Sequence, residues 1–214
     1  MADDCVFMND NPGPAIPAHP GLGVPPEPRP QQPGPSRRDQ EIELKLMGEP
    51  AAMEAAFRSL NSLASEPAPR ARSLHSTYYD TVDRALRAKR HEFRVRRVYG
   101  RYLEAFKWPK DESNAHIRGE REVRLPSREP DISRFGPDVA ANVRRITNGM
   151  PLVEQFTTTV SRRIQIVSFS GARIEVALDK GVVLAQERRE KLYQLELELK
   201  DGEEAALYEF AGFL

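Results

Sequence analysis

Two short stretches near opposite ends of the chain carry the same alternation of charged and apolar residues. Their charged members are Glu41, Glu43 and Lys45 in EIELK, and Glu196, Glu198 and Lys200 in LELELK. Because successive side chains of a β-strand point to opposite faces, each stretch predicts a strand with one apolar and one charged face. Carboxylate oxygens are the ligands that Mg²⁺ and Mn²⁺ prefer. If the two strands are neighbours in a closed sheet, four carboxylates converge, and their mutual repulsion favours a bound divalent cation.

Further charged residues continue the alternation along the chain. The basic ones are Arg94, Arg96, Lys107, Arg118 and Arg162, and the additional acids are Glu120, Glu122, Glu175 and Asp179. Alternating strands of an antiparallel sheet usually turn their polar face to water, and this interpretation fits any one of these segments. In a closed barrel, however, one face of every strand lines the lumen. A lumen with interleaved basic groups and carboxylates would bind a polyanion together with a divalent metal.

The composition limits the classes of protein that fit. The chain has 214 residues, with 32 basic and 32 acidic residues and one cysteine, Cys5. This balanced charge argues against a nucleic-acid or membrane-surface partner, since such proteins carry a lopsided charge. A lone cysteine excludes an internal disulfide, no apolar run is long enough to span a bilayer, and the start MADD resembles no secretion signal. These features predict a cytoplasmic protein.

The first 39 residues differ from the rest of the chain. They hold ten of the eighteen prolines and show no hydrophobic periodicity. Such a segment has little apolar surface to bury, so we expect residues 1–39 to form a disordered, proline-rich tail. Residues 40–214 are then expected to form one folded domain.

Strand and helix signals alternate within residues 40–214. Strands are predicted at 41–46, 72–80, twice within 91–109, and at 117–125, 154–169, 172–185 and 192–200. Hairpin turns are expected at Tyr99-Gly100 and Ser170-Gly171, and helices from Pro50, over 137–148 and at the C-terminal end, the last with a cap from Asp201 and Glu204. Many antiparallel strands with few helices predict a mainly β protein of the α+β class, either a barrel or a sandwich with peripheral helices.

These segments resemble, in order, the sequence blocks of the CYTH family, the triphosphate tunnel metalloenzymes. EIELK matches the ExExK signature of that family. The later blocks are YYDT (78–81), FRVRR (93–97), a strand ending at Lys107, RGERE (118–122), FTTTVSRR (156–163), IEVALDKG (174–181) and LELELK (195–200). ExExK alone is a weak signal, whereas eight collinear blocks covering residues 41–214 are a specific one.

The resemblance implies an eight-stranded antiparallel β-barrel tunnel and a role for each charged residue. The metal ligands would be Glu41, Glu43, Glu196 and Glu198, which form the catalytic group together with Lys45. The phosphate-binding residues would be Lys45, Arg94, Arg96, Lys107, Arg118 and Arg162. Glu120, Glu122, Glu175 and Asp179 would line the tunnel, either as supporting acids and second-metal contacts or as ion-pair partners of the arginines. Arg97 and Arg163 alternate away from their neighbours and are expected outside.

The function implied first is hydrolysis of inorganic triphosphate with Mg²⁺ or Mn²⁺. Adenylate cyclase and thiamine triphosphatase activities share the tunnel in this family, and both remain open, as does a non-catalytic module that binds polyphosphate or a nucleotide. Two residues depart from the family pattern. Ala105 stands where many relatives have threonine, and Gln194 stands where an acid often precedes the ELE pair. Both departures bear on substrate choice rather than on a metal ligand. The oligomeric state is not predicted.

Overall fold

The computed structural model describes residues 40–67, 71–111 and 113–214. The predicted disordered tail over residues 1–39 lies outside these described residues. Within them, no helix has both the length and the apolar character needed to cross a membrane.

The described residues form a closed barrel of eight antiparallel strands with four helices around it. The strands are β1 (Gln40–Met47), β2 (Arg72–Asp80), β3 (Glu92–Val98), β4 (Arg101–Pro109), β5 (Ile117–Leu125), β6 (Val153–Phe169), β7 (Ala172–Ala185) and β8 (Arg188–Asp201). The helices are α1 (Pro50–Ser59), α2 (Ala85–Ala88), α3 (Pro137–Thr147) and α4 (Glu204–Phe213), with 3-10 turns at Leu60–Ser62 and Ile132–Phe135. Around the barrel the order is β1-β5-β4-β3-β2-β6-β7-β8, and β8 pairs with β1 to close it.

The predicted eight-stranded barrel with peripheral helices is confirmed, and the sandwich alternative is wrong. Both predicted hairpin turns are present, with left-handed backbone at Tyr99-Gly100 (φ 48° and 76°) and at Ser170-Gly171 (φ 47° and 77°). Two residues of positive φ match the right-handed twist of the flanking strands. The predicted cap on the last helix is also wrong. Glu203 occupies the cap position without a side-chain hydrogen bond, because β8 continues through Asp201 and the chain then turns at Gly202 (φ 104°).

The apolar faces of the strands point outward and are covered by helices. On one side, Phe57 of α1 and Phe210 of α4 pack on a buried cluster that includes Leu44, Leu195 and Leu197. Each of these large side chains contributes about 1.5–3 kcal/mol by leaving water. This packing fixes the register of β1 and β8, so the charged residues that alternate with these leucines must face the barrel interior.

A second apolar cluster lies on the opposite side, where Phe93 and Phe106 pack against Phe135 and α3. Trp108 joins this cluster as a partly buried residue and stacks on Phe106 with ring centroids 5.8 Å apart. A Cβ at Gly119 would lie 2.1 Å from the Trp108 ring, so glycine is required where β5 passes this indole. The cluster orients β3, β4 and β5 and thereby directs inward the charged residues that alternate with it, such as Arg94 and Lys107.

One acid lies within the outer layer rather than in the tunnel. Glu104 of β4 is fully buried, and its Oε1 accepts the Asp131 N–H at 2.7 Å. Its second carboxylate oxygen has no partner among the described residues. Burial raises the pKa of Glu104 to about 7, although the bond from Asp131 opposes the shift.

Glu104→Gln is expected to stabilise the fold above pH 7 and to have little effect at pH 5. The raised pKa means that the folded state favours the protonated acid, whose contribution is complete below pH ~4.5 and is lost as the pH rises through about 7. Glutamine keeps the acceptor for Asp131 and cannot ionise. The gain at pH 8 is expected to reach up to about 3 kcal/mol. Thermal unfolding at both pH values measures it, with the exposed Glu129→Gln as control. An equal gain at both pH values would contradict the assignment.

Candidate active site

Three connected cavities run through the barrel. A central cavity of about 270 Å³ shares Tyr78, Glu92 and Phe156 with a mouth cavity of about 620 Å³ at the end where β2 finishes. On its other side lies a rear cavity of about 470 Å³ near the start of β1, and the two share Glu41, Arg94, Arg96, Arg162 and Glu198. The sequence-predicted residues that line the central cavity are Glu41, Glu43, Lys45, Arg94, Arg96, Lys107, Arg162, Asp179, Glu196 and Glu198.

Strands β1 and β8 bring the two repeated motifs side by side. Glu43 lies opposite Glu198, and Lys45 lies opposite Glu196. On its other edge, β8 places Glu198 opposite Glu175 of β7. Three carboxylates therefore form one row across three adjacent strands. Like charges directly opposite one another destabilise a sheet, so this row requires nearby cations.

Two lysines supply part of that compensation. Lys45 Nζ lies 2.9 Å from Glu196 Oε1 and 3.2 Å from Glu43 Oε1. Lys200 Nζ lies 2.6 Å from Glu198 Oε2 and 3.9 Å from Glu175 Oε2. Lys200 belongs to the LELELK repeat but had no predicted role. The structure shows that it is the ion-pair partner of the row.

The two acids of β8 differ in their electrostatic state. Burial disfavours ionisation of Glu196, but Lys45 and Arg162 outweigh it and hold the pKa of this carboxyl at about 2. Burial raises the pKa of Glu198 above its usual value; Lys200 opposes this shift, while Glu41 and Glu175 add to it. Glu196 is therefore satisfied by protein cations, whereas Glu198 would gain from a further positive charge.

The guanidiniums of Arg94 and Arg96 in β3 have N–H donors that acceptors among the described residues do not fully use. Arg96 donates from Nε to Ser76 Oγ at 3.0 Å, and no carboxylate within the described part of the chain pairs with it. Burial lowers the pKa of Arg96, and the positive charges of Arg94 and Arg162 lower it further. The Nε of Arg94 is also buried without a hydrogen-bond partner among the described residues. These are cations held close together that a bound anion would stabilise.

Arg162 organises the opposite wall of the central cavity. Its Nε and one terminal nitrogen donate to the two oxygens of Asp179, each at 2.7 Å, and that terminal nitrogen also contacts Glu196. Gln194 donates to Glu196 Oε1 at 2.8 Å and lies 3.4 Å from Asp179 Oδ2. The amide thus joins two carboxylates that an acid at position 194 would repel.

The remaining predicted acids lie toward the rear cavity. Glu120 contacts both Arg94 NH2, at 3.1 Å, and Lys107 Nζ, at 3.7 Å. The other partner of Lys107 is Glu41, whose Oε2 lies 2.5 Å from Nζ. Glu122 lines the rear cavity, and burial raises the pKa of its carboxyl. Glu120 therefore holds the cations in place, while Glu122 is more easily protonated.

One tunnel acid was missed in the sequence. Glu92 lies 3.6 Å from both Arg94 and Arg118 and lines the central and mouth cavities. Its position two residues before Arg94 in HEFRVRR places it on the same face of the strand. The alternation of side chains along a strand could therefore have identified it from the sequence. Arg118 itself lines the mouth cavity rather than the central one.

The two arginines expected outside the barrel do not share the tunnel face. Arg163 contacts Glu54 of α1 at 2.5 Å and lies over the Phe57 ring, with 5.1 Å to the centroid. Arg97 is exposed and lies opposite His75. The structure therefore separates Arg96 from Arg97 and Arg162 from Arg163.

The mouth cavity has a different character from the rest of the tunnel. Tyr78 and Phe156 stack at its inner end with ring centroids 4.4 Å apart and planes 13° from parallel. Arg84, Arg87 and Arg90 line the opening, together with the Arg118 described above. The sequence analysis singled out none of Arg84, Arg87 and Arg90, because they lie in a turn without an alternating pattern.

The row of carboxylates has the chemistry of a divalent cation site. In the described ranges, no three acidic, histidine or cysteine side chains are grouped as a preformed site. However, Glu43, Glu198 and Glu175 offer oxygen donors from adjacent register positions, and burial, with smaller contributions from Glu41 and Glu175, raises the pKa of Glu198 against the effect of Lys200. Hard divalent cations prefer such donors, so the residues present fit Mg²⁺ or Mn²⁺.

Comparison with known sequences yields a family and a relative. A family model described as "CYTH domain" matches residues 39–212. An inorganic triphosphatase from Haemophilus influenzae is 28% identical over 147 residues, which is 66% of this chain and 40% of that protein. The chain therefore spans less than half the length of this relative.

Solved structures resemble the barrel at low sequence identity. A candidate adenylate cyclase from Bacillus halodurans gives a TM-score of 0.55 at 19% identity, over 82% of this chain and 89% of that one. A candidate adenylyl cyclase from Hippeastrum, described as having a dominant triphosphatase activity, gives 0.51 at 16% identity, over 82% and 86%. At these identities the likeness establishes the fold alone.

Proposed function

Because the chain belongs to the CYTH domain family, we propose that it hydrolyses a triphosphate, most simply inorganic triphosphate, bound in the central cavity with a divalent cation. The observation that carries this proposal is the Arg96 guanidinium. It is half-buried among other cations and has no acidic partner among the described residues. Such a group is costly to hold in place unless an anion binds to it.

The charge balance of the central cavity favours a substrate that binds together with a metal ion. Six carboxylates and five basic side chains line it. A divalent cation would shift this balance toward positive charge and strengthen the binding of a polyanion. We propose that the divalent cation is held by carboxylates drawn from Glu41, Glu43, Glu196 and Glu198. Glu43 and Glu198 are central because they lie directly opposite each other, and Glu175, opposite Glu198 on β7, completes the row beside them. When bound, the cation would supply Lewis acidity and neutralise charge on the phosphate oxygens.

The basic side chains then position the substrate. Arg94, Arg96, Lys107 and Arg162 would donate hydrogen bonds to phosphate oxygens from two walls of the cavity, and Lys45 would leave its carboxylate partners to do the same. Their donors are already fixed by Ser76, Glu120 and Asp179, so little reorganisation is needed as charge develops. The attacking water needs a proton acceptor. Glu122 is the candidate for that role, because it lines the adjoining rear cavity together with Arg94 and Arg96 and burial raises the pKa of its carboxyl.

The mouth cavity favours a second candidate substrate, a triphosphate that carries an organic group. Its volume of about 620 Å³ and the stacked Tyr78 and Phe156 rings would suit a planar ring joined to the phosphate chain. Hydrolysis of thiamine triphosphate and cyclisation of ATP are the corresponding reactions.

Purified protein with Mg²⁺ or Mn²⁺ is expected to release phosphate from inorganic triphosphate, and to lose that activity when EDTA removes the metal. The oxygen-only donor set and the near balance of charges in the cavity are the reason. Parallel assays with ATP and thiamine triphosphate compare the candidates. Pyrophosphate and cyclic nucleotide from ATP would favour the cyclase, and full turnover in metal-free buffer would contradict the metal assignment. Tight binding of every substrate without turnover would indicate a non-catalytic module.

A further inference from the structure

A buried carboxylate fixes the turn that follows β2. Asp80 is only 6% exposed, and its Oδ1 accepts the N–H groups of Thr81 at 2.7 Å and Leu86 at 2.9 Å. Its Oδ2 accepts the N–H of Arg87 at 2.9 Å. Thr81 Oγ1 accepts the N–H of Ala85 at 2.9 Å. Four bonds thus determine the path of a segment whose only regular element, α2, has four residues.

This turn places arginines at the tunnel mouth. Arg84 and Arg87 are exposed and line the mouth cavity. Neither has an ion pair within the described part of the chain. Arg84 also adopts a left-handed backbone, with φ 60°. Such a conformation costs an arginine of order 1 kcal/mol and persists only where the surroundings impose it, and strained positions of this kind cluster at functional sites.

We propose that Asp80 is a positioning residue, and that the turn it holds makes Arg84 and Arg87 an anion-binding site for the phosphate group of the substrate nearest the mouth. This inference rests on the proposed function, because it takes the central cavity as the place where the rest of the phosphate chain lies. The two cavities share Tyr78, Glu92 and Phe156, so a linear phosphate chain can extend from one into the other.

The chemistry of the mouth suits an anion. Both carboxylate oxygens of Asp80 accept hydrogen bonds from backbone N–H groups. Glu92 forms ion pairs with both Arg94 and Arg118. Arg84 and Arg87 line the mouth cavity, and their guanidiniums are left as donors for a substrate that carries several negative charges. Guanidinium binds phosphate oxygens with paired hydrogen bonds, which gives affinity as well as orientation.

Calorimetric titration with inorganic triphosphate in metal-free buffer tests the site without using activity. Arg87→Ala and Arg84→Gly are each expected to raise the Kd by about threefold to tenfold, with a smaller difference at high salt. Lys89→Ala, which removes the same charge from an exposed residue of the same turn, is the matched control and should leave the Kd unchanged. A Kd for Arg84→Gly and Arg87→Ala equal to that of the control would overturn the proposal.

Two further measurements separate positioning from general stability. Glycine accepts a positive φ without strain, so Arg84→Gly should keep or raise the melting temperature while it weakens binding. Asp80→Asn loses an acceptor for the Arg87 N–H and should raise the Kd as the arginine variants do. When Asp80→Asn is added to a variant that carries both Arg84→Gly and Arg87→Ala, it should cause no further increase in Kd. An additive increase would show that Asp80 acts on binding by another route.

The outcomes also separate this inference from the proposed function. One outcome is that wild-type protein binds triphosphate, the arginine variants bind it less well, and no substrate is hydrolysed. In that case the anion-binding site at Arg84 and Arg87, the mouth site, is supported and the triphosphatase assignment fails. If wild-type protein hydrolyses triphosphate and the arginine variants match the Lys89→Ala control in both Kd and KM, the mouth site fails and the triphosphatase assignment stands.

Discussion

Glu198→Gln is expected to lower kcat for triphosphate by a factor of about 10²–10³ and to leave the melting temperature at neutral pH equal or higher. The carboxamide keeps the size of the side chain but not the negative charge that a divalent cation requires. In the free protein this negative charge is unfavourable, because burial raises the pKa of Glu198. Glu41 and Glu175 add to the shift, whereas Lys200 opposes it. A raised folded-state pKa means that stability falls as the acid ionises, and glutamine does not ionise. Kinetics at saturating metal and thermal unfolding at pH 7 measure both effects.

Glu196→Gln is the matched comparison on the same strand. Lys45 and Arg162 hold the pKa of Glu196 at about 2 against the effect of burial, so the ionised form stabilises the fold above about pH 4.5, and this contribution is lost as the pH falls through about 2. This variant should therefore melt at a lower temperature than wild type at pH 7. If Glu198→Gln melts lower as well, its carboxylate is chiefly a structural partner of Lys200. Wild-type turnover in Glu198→Gln would remove it from the metal site.

The barrel could be predicted because its signals are local and repeated. Strict alternation in β1 and β8, and two turns of the kind that closes hairpins, set strand positions to within a few residues. Helix α2 was not predicted, because four residues have too little periodicity to register, and the bonds that form it come from Asp80. The start of β8 at Arg188 was also missed, since residues 188–191 are charged on both faces and are held by pairing with β7.

The sequence predicted which residues belong to the site but not which of them lie opposite each other. Alternation places Glu43 and Glu198 on inward faces, yet only the register of β1 on β8 puts them opposite each other. The same limit applies to Gln194, which the sequence marks as unusual and the structure shows bridging Glu196 and Asp179. The mouth cavity could not be foreseen, because its lining comes from turns and strand ends that are distant in sequence.

Arg96→Ala is expected to reduce kcat/KM for triphosphate by about 10- to 100-fold, which corresponds to the loss of a charge-assisted hydrogen bond. Arg96 lines both the central and the rear cavity and has no acidic partner among the described residues, so its guanidinium is available to phosphate. Metal affinity measured without substrate should change little, because removal of a cation leaves the carboxylate row intact. Steady-state kinetics and a separate metal titration distinguish the two effects.

Arg97→Ala is the control, since it removes the same group one position along β3. Arg97 is exposed opposite His75, so its loss should change kcat/KM by less than about twofold. The pair also tests strand register, because a shift of β3 by one residue would exchange the two side chains and hence the two results. Equal damage from both variants would mean that the inward face of β3 is assigned wrongly. If neither variant alters the kinetics, the cations of β3 do not meet the substrate, and the proposal that phosphate is bound in the central cavity fails even though the barrel itself stands.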